Sequence, residues 1–226
     1  MIKKLCIIPA RGGSKRIPRK NIRAFLGKPM IAYSIETALS TGLFDEVMVS
    51  TDDEEIAAIA KVYGAKVPFM RSATTSNDYA TTSDVLFEVI SKYKDLGQEF
   101  DYFCCFYATA PLVHSQDVID AYNLLKQSSF TCLYPVVQFS YPIWRCLDLH
   151  SDGSLVRHWP EFEKSRSQDL PKQYHDTGTF YWYKTNDWLE GNMIIGGIEV
   201  SETQIQDIDT EIDWTLAEIK YKLLHQ

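Results

Sequence analysis

Apolar residues along the chain fall into short continuous runs and into longer stretches with helical spacing. Leu5–Ile8 predicts a buried strand, and Ile31, Ile35 and Leu39 follow Pro29 at the three- and four-residue spacing of a helix that Gly42 ends. Further strands are predicted at 47–50, 66–70, 102–107, 131–137, 179–183 and 194–200. Further helices are predicted after Asp52 or Asp53, after Thr81 or Thr82, over 116–126, and around Leu216, Ile219 and Leu223. This alternation predicts an α/β fold, a parallel sheet covered by helices on both faces.

The stretch 141–172 interrupts the alternation. Residues 145–159 alternate between apolar and polar side chains around Ser151-Asp152-Gly153, which is typical of a β-hairpin. We therefore expect one domain over 1–226 with a small antiparallel insertion at about 141–172. This insertion would serve as a lid or as a contact between two copies of the chain.

A loop rich in small and cationic residues follows the first predicted strand. The stretch Ala10–Asn21 reads ARGGSKRIPRKN and contains five cations, Arg11, Lys15, Arg16, Arg19 and Lys20. Gly12 and Gly13 would let backbone amides approach a ligand, and the cations would supply counter-charge. Ligands of parallel sheets bind beyond the carboxyl ends of the strands, where this loop falls. The pattern indicates a ligand with several negative charges, and a nucleoside triphosphate is the natural candidate.

Charge is distributed unevenly along the chain. The net charge is -7, yet nine of the 23 basic residues precede the first acidic residue, Glu36. A basic segment on an otherwise acidic protein favours a small polyanion over a nucleic acid. The loop matches neither the GxxxxGK[ST] pattern of P-loop NTPases nor the GxGxxG pattern of dinucleotide-binding turns. We therefore expect neither an NTPase nor a dehydrogenase.

Composition points to a cytoplasmic protein. No apolar run has the ~18 residues that a membrane span needs, and the N-terminal segment lacks the features of a signal peptide. The five cysteines are odd in number and have no CxxC spacing, which fits reduced, mostly buried thiols. We expect neither a membrane nor a nucleic acid as partner.

Acidic residues recur at every second position over 207–213. If this segment is extended, Asp207 and Asp209 point to one side and could hold Mg²⁺, which prefers oxygen ligands and substrate phosphates. The alternative is helix capping by Asp209 or Thr210, with Glu211 and Asp213 in the first turn. Both interpretations can hold together. His175, in a polar segment just before a predicted strand, is a candidate substrate contact.

Five motifs, taken in order, resemble one enzyme family. They are ARGGSKRIPRKN, GKPMIAYSI, STDDEEIA, YATAPL and QDIDTEIDW. Together they resemble the acylneuraminate, or CMP-sugar acid, cytidylyltransferases over nearly the whole chain, and most of all the branch acting on pseudaminic acid. The resemblance implies a Rossmann-like, mostly parallel sheet of the nucleotide-diphospho-sugar transferase type. It also implies CMP transfer from CTP to a nine-carbon sugar acid with Mg²⁺, in a homodimer that serves surface glycan or flagellin glycosylation.

The resemblance also implies roles for individual residues. Catalytic roles would fall to Arg11, Lys15, Lys20 and Arg166. The nucleotide would be bound by Arg11, Gly12, Gly13, Ser14, Lys15, Lys20, Asn21, Arg71, Ala80 and Thr82. The sugar acid would be bound by Tyr107, Thr109, Arg166 and His175, and the metal by Asp207 and Asp209.

Three alternatives remain open at this point. The same chemistry could act on N-acetylneuraminic, legionaminic or 3-deoxy-octulosonic acid. A catalytically silent nucleotide-binding domain would keep the cationic loop and lose the acid pair, and both are present here. An RNA-binding protein should carry basic charge elsewhere and exposed aromatic residues between the basic ones.

Overall fold

A computed structural model describes residues 2–225. Its strands are β1 (Lys4–Pro9), β2 (Ala24–Phe25), β3 (Lys28–Pro29), β4 (Glu46–Ser50), β5 (Tyr102–Phe106), β6 (Cys132–Gln138), β7 (Leu147–Leu149), β8 (Leu155–Arg157), β9 (Tyr174–Asp176), β10 (Phe180–Lys184) and β11 (Ile195–Glu199). Its α-helices are α1 (Met30–Ser40), α2 (Glu54–Val62), α3 (Ala73–Ser76), α4 (Thr82–Asp95), α5 (Ser115–Gln127), α6 (Thr185–Leu189) and α7 (Glu211–Leu224). Short 3₁₀ helices span Ile143–Arg145, Pro160–Phe162, Ser167–Asp169 and Glu202–Gln204.

A seven-stranded sheet forms the centre, with strand order β11-β6-β10-β5-β1-β4, and β9 pairs with β6 as well. β1 is parallel to β4 and β5, and β11 is parallel to β6. β10 is antiparallel to both of its neighbours, and β9 is antiparallel to β6. The predicted α/β class is confirmed. The predicted hairpin is present too, since β7 pairs antiparallel with β8.

Two apolar clusters cover the two faces of the sheet. One contains Cys104 and joins the strands to α1, α2 and α5; the other contains Cys105 and joins them to α4. Neighbouring strand residues point to opposite faces, which explains why adjacent cysteines enter different clusters. Four of the five free thiols are buried, as expected, and Cys146 is exposed.

A third apolar cluster ties the two ends of the chain together. Ile17, from the cationic loop, and Ile208, from between the two predicted metal ligands, are both fully buried in it. Phe25 packs edge-on against Trp214 of α7 in the same cluster, with ring centroids 5.5 Å apart. Burying side chains of this size is worth about 1.5–3 kcal/mol each. The apolar contact therefore holds the cationic loop beside the acidic segment.

Helix starts follow the predicted caps. The Asp53 side chain accepts hydrogen bonds from two amides at the start of α2, and Thr81 forms a capping box with Asp84 at the start of α4. Thr210 forms a capping box with Asp213 at the start of α7. Each cap satisfies amides that have no partner within their own helix. The capping interpretation of Asp213 is therefore confirmed.

Two sequence expectations need correction. The strand predicted at 66–70 is reduced to a single bridge between Lys66 and Met48, because Pro68 has no N–H to extend the pairing. The polar stretch 71–79, which the sequence pattern assigns to neither a strand nor a helix, contains α3. In α7 the inward side chains are Trp214 and Ala217, whereas Leu216, Ile219 and Leu223 are exposed. Their helical spacing predicts the helix, and the structure shows which of its faces is buried.

None of the helices within residues 2–225 combines the length and apolar character needed to cross a membrane.

Candidate functional site

A cleft of two adjoining cavities lies at the carboxyl edge of the sheet. The cavities have volumes of about 620 and 680 Å³ and share four lining residues, Arg16, Lys20, Tyr107 and Thr109. We call the cavity that contains Arg11 the first cavity and the one that contains His175 the second cavity. The shared residues follow β1 and β5, so neighbouring parallel strands end at the junction. This is the position expected for a ligand site in such a sheet.

Most of the predicted nucleotide-binding residues line the first cavity. They are Arg11, Ser14, Lys15, Lys20, Asn21, Arg71, Ala80 and Thr82. Gly12 and Gly13 do not. The Gly12 amide donates to Asp52 Oδ1 at 3.0 Å, and a Cβ on Gly12 would lie 2.7 Å from Asp53 Oδ2. Gly12 thus permits close packing of the loop against the start of α2, and its amide is occupied there.

Two cations of the loop converge on one carboxylate. Arg11 Nη1 lies 2.9 Å from Asp78 Oδ1, and Lys15 Nζ lies 2.5 Å from Asp78 Oδ2. These contacts, the hydrogen bond from Lys15 first, hold the pKa of Asp78 below its usual value. The Asp78 carboxylate therefore pairs with the same two cations, Arg11 and Lys15, that an anionic ligand of this cavity would contact.

Arg19 has a different role from the other cations of the loop. It has a positive φ of 56° and its guanidinium pairs with Asp53 and Glu55 at the start of α2. It lines neither cavity. Of the five predicted cations, four therefore face the cleft and Arg19 fixes the loop to α2.

Buried polar groups support the wall of the first cavity. Arg71 is buried and donates to the Ser50 carbonyl at 2.5 Å, and burial lowers its pKa. Asn21 Nδ2 donates to the Arg11 carbonyl at 3.0 Å, which fixes the bend of the loop. Glu88 accepts from the Ser72 amide at 2.8 Å and from Ser72 Oγ at 2.8 Å. These bonds anchor the segment that leads to Asp78.

Tyr107 stands between the two cavities. Its hydroxyl lies 2.9 Å from Thr82 Oγ1, and its carbonyl accepts from Ser34 Oγ at 2.8 Å. Burial raises the pKa of Tyr107, so the hydroxyl stays protonated at neutral pH. The ring of Tyr181 meets that of Tyr107 edge-on, with centroids 5.9 Å apart. Thr82, a predicted nucleotide contact, and Tyr107, a predicted sugar-acid contact, are thus joined by one hydrogen bond.

The predicted metal ligands lie in the second cavity beside two cations. Asp209 Oδ2 lies 2.6 Å from Arg16 Nη1, and Asp209 Oδ1 lies 3.4 Å from Lys20 Nζ. Lys20 also donates to the Ile208 carbonyl at 2.6 Å. Asp207 is exposed at the same cavity and forms no ion pair within residues 2–225. The structure thus brings the cationic loop Ala10–Asn21 and the acidic pair Asp207 and Asp209, which lie far apart in sequence, into one cleft.

The donor set of this cavity fits Mg²⁺. Two aspartate side chains supply oxygen atoms, and Mg²⁺ commonly takes one or two carboxylates and completes its shell with water and phosphate oxygens. Among residues 2–225 no group of three metal-binding side chains occurs, so the substrate and water would supply the other ligands. A cation held by Asp209 would have to displace Arg16, whose side chain is 70% exposed.

The acidic residues that follow Asp209 stabilise the start of α7. Glu211 pairs with Arg23 at 2.6 Å, which lowers the pKa of Glu211, and the Arg23 guanidinium lies over the Trp214 ring at 4.5 Å. Asp213 accepts from the Thr210 amide at 2.8 Å. Neither Glu211 nor Asp213 lines the cleft. Of the four predicted acids, only the first two face a ligand site.

Two of the remaining predicted sugar-acid residues line the second cavity, and one lies elsewhere. Thr109 and His175 are in its wall. Arg166 is 70% exposed in the insertion, pairs with Asp169 at 3.0 Å, and lines neither cavity. The structure therefore does not bring Arg166 to the cleft.

Sequence reasoning missed several residues of the second cavity, notably Asp176, Tyr181 and Lys220. Asp176 directly follows His175 in the polar segment 174–178, so its proximity to a predicted contact was the available signal. Tyr181 falls in the strand predicted at 179–183, where a packing role is the usual expectation for an aromatic residue, and its hydroxyl donates to Asp176. Burial, and then this hydrogen bond, raises the pKa of Tyr181, so that hydroxyl remains a donor.

The chain is similar to known proteins in sequence and in fold. The family model described as cytidylyltransferase matches residues 5–187. Pseudaminic acid cytidylyltransferase of Campylobacter jejuni is 45% identical over 100% of this chain and 99% of its own length. CMP-N,N'-diacetyllegionaminic acid synthase of Legionella pneumophila is 33% identical over 95% and 94%. A solved structure of CMP:2-keto-3-deoxy-manno-octonic acid synthetase complexed with CTP has a TM-score of 0.71, with 20% identity and 99% of each chain covered. That likeness shows a shared fold.

Proposed function

The chain belongs to the cytidylyltransferase family, and from that membership we propose that it transfers CMP from CTP to the anomeric hydroxyl of pseudaminic acid. The products are CMP-pseudaminic acid and pyrophosphate. Lys20 supports this proposal most directly, because it lines both cavities and lies within 3.4 Å of Asp209. Transfer between two bound substrates needs such a junction, where the reacting groups are held together.

The first cavity suits CTP. Arg11, Lys15 and Lys20 are placed to contact the triphosphate, and Ser14 is a hydrogen-bonding partner in the same wall. Asn21, Arg71, Ala80 and Thr82 would surround the base and ribose. These cations would assist the reaction, because negative charge accumulates on the departing pyrophosphate during phosphoryl transfer and fixed cations stabilise it.

The second cavity suits the sugar acid. The anomeric hydroxyl of the sugar acid would attack the α-phosphorus of CTP in line. The new P–O bond forms as the bond to pyrophosphate breaks, and the hydroxyl proton leaves to solvent. Tyr107, Thr109 and His175 would orient the sugar. Arg16 and Lys20 provide positive charge for its carboxylate and for the phosphate under attack. We assign Arg166 no step, because it lies outside both cavities.

Asp207 and Asp209 would hold Mg²⁺. When bound there, the ion supplies Lewis-acid charge for phosphate oxygens and for the weakly acidic sugar hydroxyl. The chain's own contribution is to keep Asp209 beside Lys20, because the buried Ile208 anchors the segment that carries both aspartates.

Pyrophosphate release, measured with CTP, Mg²⁺ and a panel of sugar acids, tests the proposal. We expect the highest kcat/KM with pseudaminic acid and lower values with N-acetylneuraminic, legionaminic and 3-deoxy-octulosonic acid. A clear preference for one of the other acids would change the acceptor and keep the chemistry. Release with none of them would favour a nucleotide-binding domain without transferase activity.

We further propose a cytoplasmic homodimer with the insertion as its contact. The hairpin β7–β8 exposes Leu147, Leu149, Leu155 and Val156. Four large apolar side chains on one small hairpin are more typical of an interface than of free surface. Sedimentation of the wild type and of a Leu149→Glu, Leu155→Glu variant tests this, and a dimeric variant would contradict the contact.

A further inference from the structure

The second cavity contains an acid that no step above uses. Asp176 ends β9, opposite Val136 of β6, and lines the cavity together with Tyr181. The Tyr181 hydroxyl donates to Asp176 Oδ2. Within residues 2–225 no hydrogen bond reaches Oδ1, and no Lys or Arg forms an ion pair with this carboxylate. A carboxylate has capacity for about four hydrogen bonds, so Asp176 keeps unused acceptor capacity at the cavity wall.

The chemistry of this position restricts what it can contact. An ionised carboxylate only accepts hydrogen bonds, and it repels another carboxylate nearby. The carboxylate of a sugar acid is therefore excluded from the Asp176 side and favoured near Arg16 and Lys20. What remains for Asp176 is a donor on the rest of the sugar, which is either a hydroxyl or the N–H of an acylamino group.

Aromatic rings beside Asp176 favour the acylamino group. Tyr107 and Tyr181 both line the second cavity, and their ring centroids lie 5.9 Å apart. Such faces accept the methyl of an acyl group, while the carboxylate accepts its N–H. A simple hydroxyl would make the hydrogen bond and leave the apolar surface uncovered.

We propose that Asp176, held by Tyr181, binds an acylamino N–H of the sugar acid and so sets both the orientation and the acceptor preference of the enzyme. This rests on the proposed function, since it describes how the same site recognises the sugar acid. Tyr181 is a positioning residue in this scheme, because it fixes the carboxylate rotamer through Oδ2 and leaves Oδ1 for the substrate.

Steady-state kinetics with pseudaminic acid test the proposal. A hydrogen bond to a charged group is worth enough that Asp176→Ala should raise the KM for the sugar acid about 10- to 100-fold, with the KM for CTP changed less than twofold. Tyr181→Phe should raise the sugar-acid KM less. The double variant should match Asp176→Ala alone, because the two residues act as a unit. Asp169→Asn, an exposed acid outside the cleft, is the matched control.

The outcomes separate this proposal from the proposed function. An active wild type with an unchanged sugar-acid KM in Asp176→Ala would overturn the role of Asp176. Equal increases in both KM values would also overturn it, since they would indicate a distorted cleft. A wild type inactive with every sugar acid would instead count against the transferase itself. Substituting a hydroxyl for the acylamino group on an acceptor that the wild type uses should shrink the Asp176→Ala effect to within threefold.

Discussion

Lys20 and Asp209 are separated by 189 residues in sequence, yet Lys20 Nζ and Asp209 Oδ1 lie 3.4 Å apart. One belongs to the loop after β1 and the other to the segment before α7. Their meeting joins the cationic and the acidic parts of the cleft.

Asp209→Asn should lower kcat at least about 10²-fold without unfolding the protein. The amide keeps the shape of the side chain and removes the charge that would hold the metal, and losing one such transition-state interaction commonly costs this much. Pyrophosphate release and thermal melting measure the two properties. Asp120→Asn, on the exposed face of α5, is the control. Wild-type turnover by Asp209→Asn at saturating Mg²⁺ would contradict the metal assignment.

Lys20→Ala should raise the KM for CTP or slow turnover, because a cation shared by both cavities is removed. The control is Lys61→Ala, an exposed lysine of α2 that lies outside the cleft. A full CTP titration with each variant measures both constants. If Lys20→Ala matches the control in both KM and kcat, Lys20 has no role at the phosphates.

Asp78→Asn should lower the KM for CTP about two- to fivefold. Its carboxylate pairs with Arg11 and Lys15, and CTP has to displace it from them, although exposed pairs of this kind are weak. Without the negative charge, residue 78 no longer competes with the CTP phosphates for Arg11 and Lys15. Binding of CTP, followed by calorimetry without the sugar acid, measures the effect directly. Weaker binding would show instead that Asp78 helps to hold the nucleotide.

Gly12→Ala should destabilise the fold by about 1–3 kcal/mol, the usual cost of overpacking. The added methyl would lie 2.7 Å from Asp53 Oδ2 and displace the carboxylate that caps α2 and pairs with Arg19. Gly13→Ala is a matched control, because no atom lies within 4 Å of its added Cβ. Urea unfolding of both variants measures the difference. Equal stabilities would mean that Asp53 moves aside at no cost.

Glu88 should make stability depend on pH. Burial alone raises its pKa, but hydrogen bonds from Lys92, Thr75 and Ser72 outweigh burial and hold it at about 2. The unfolded value is about 4.3. The stabilisation is therefore complete above pH 4.3 and is lost as pH falls towards 2. The unfolding free energies of wild type and Glu88→Gln should differ more at pH 7 than at pH 2. A difference that does not change with pH would contradict this linkage.

Local patterns predicted most of the fold. The caps Asp53, Thr81 and Thr210 and the strand 102–107 could be read because each depends on neighbours within a few residues. The strand expected at 66–70 is reduced to one bridge because Pro68 limits its pairing. The inward face of α7 depends on packing against Phe25, which helical spacing alone does not predict.

The candidate site was predictable in composition and less so in detail. Charge and glycine content marked the loop Ala10–Asn21, and alternating acids marked Asp207 and Asp209. That Arg19 turns to α2, and that Asp176 is held by Tyr181, depends on backbone direction and on contacts between strands. No pattern within one segment records such contacts.

The buried pair Ile17 and Ile208 has a consequence for synthesis of the protein. A chain grows from its N-terminus, so the cationic loop leaves the ribosome long before the acidic segment exists. Until Ile208 arrives, the loop lacks the apolar partner that positions it, and Lys20 lacks Asp209. We therefore expect a nascent chain to have an unfinished cleft, and to be incapable of nucleotide transfer, until Ile208 and Asp209 have emerged.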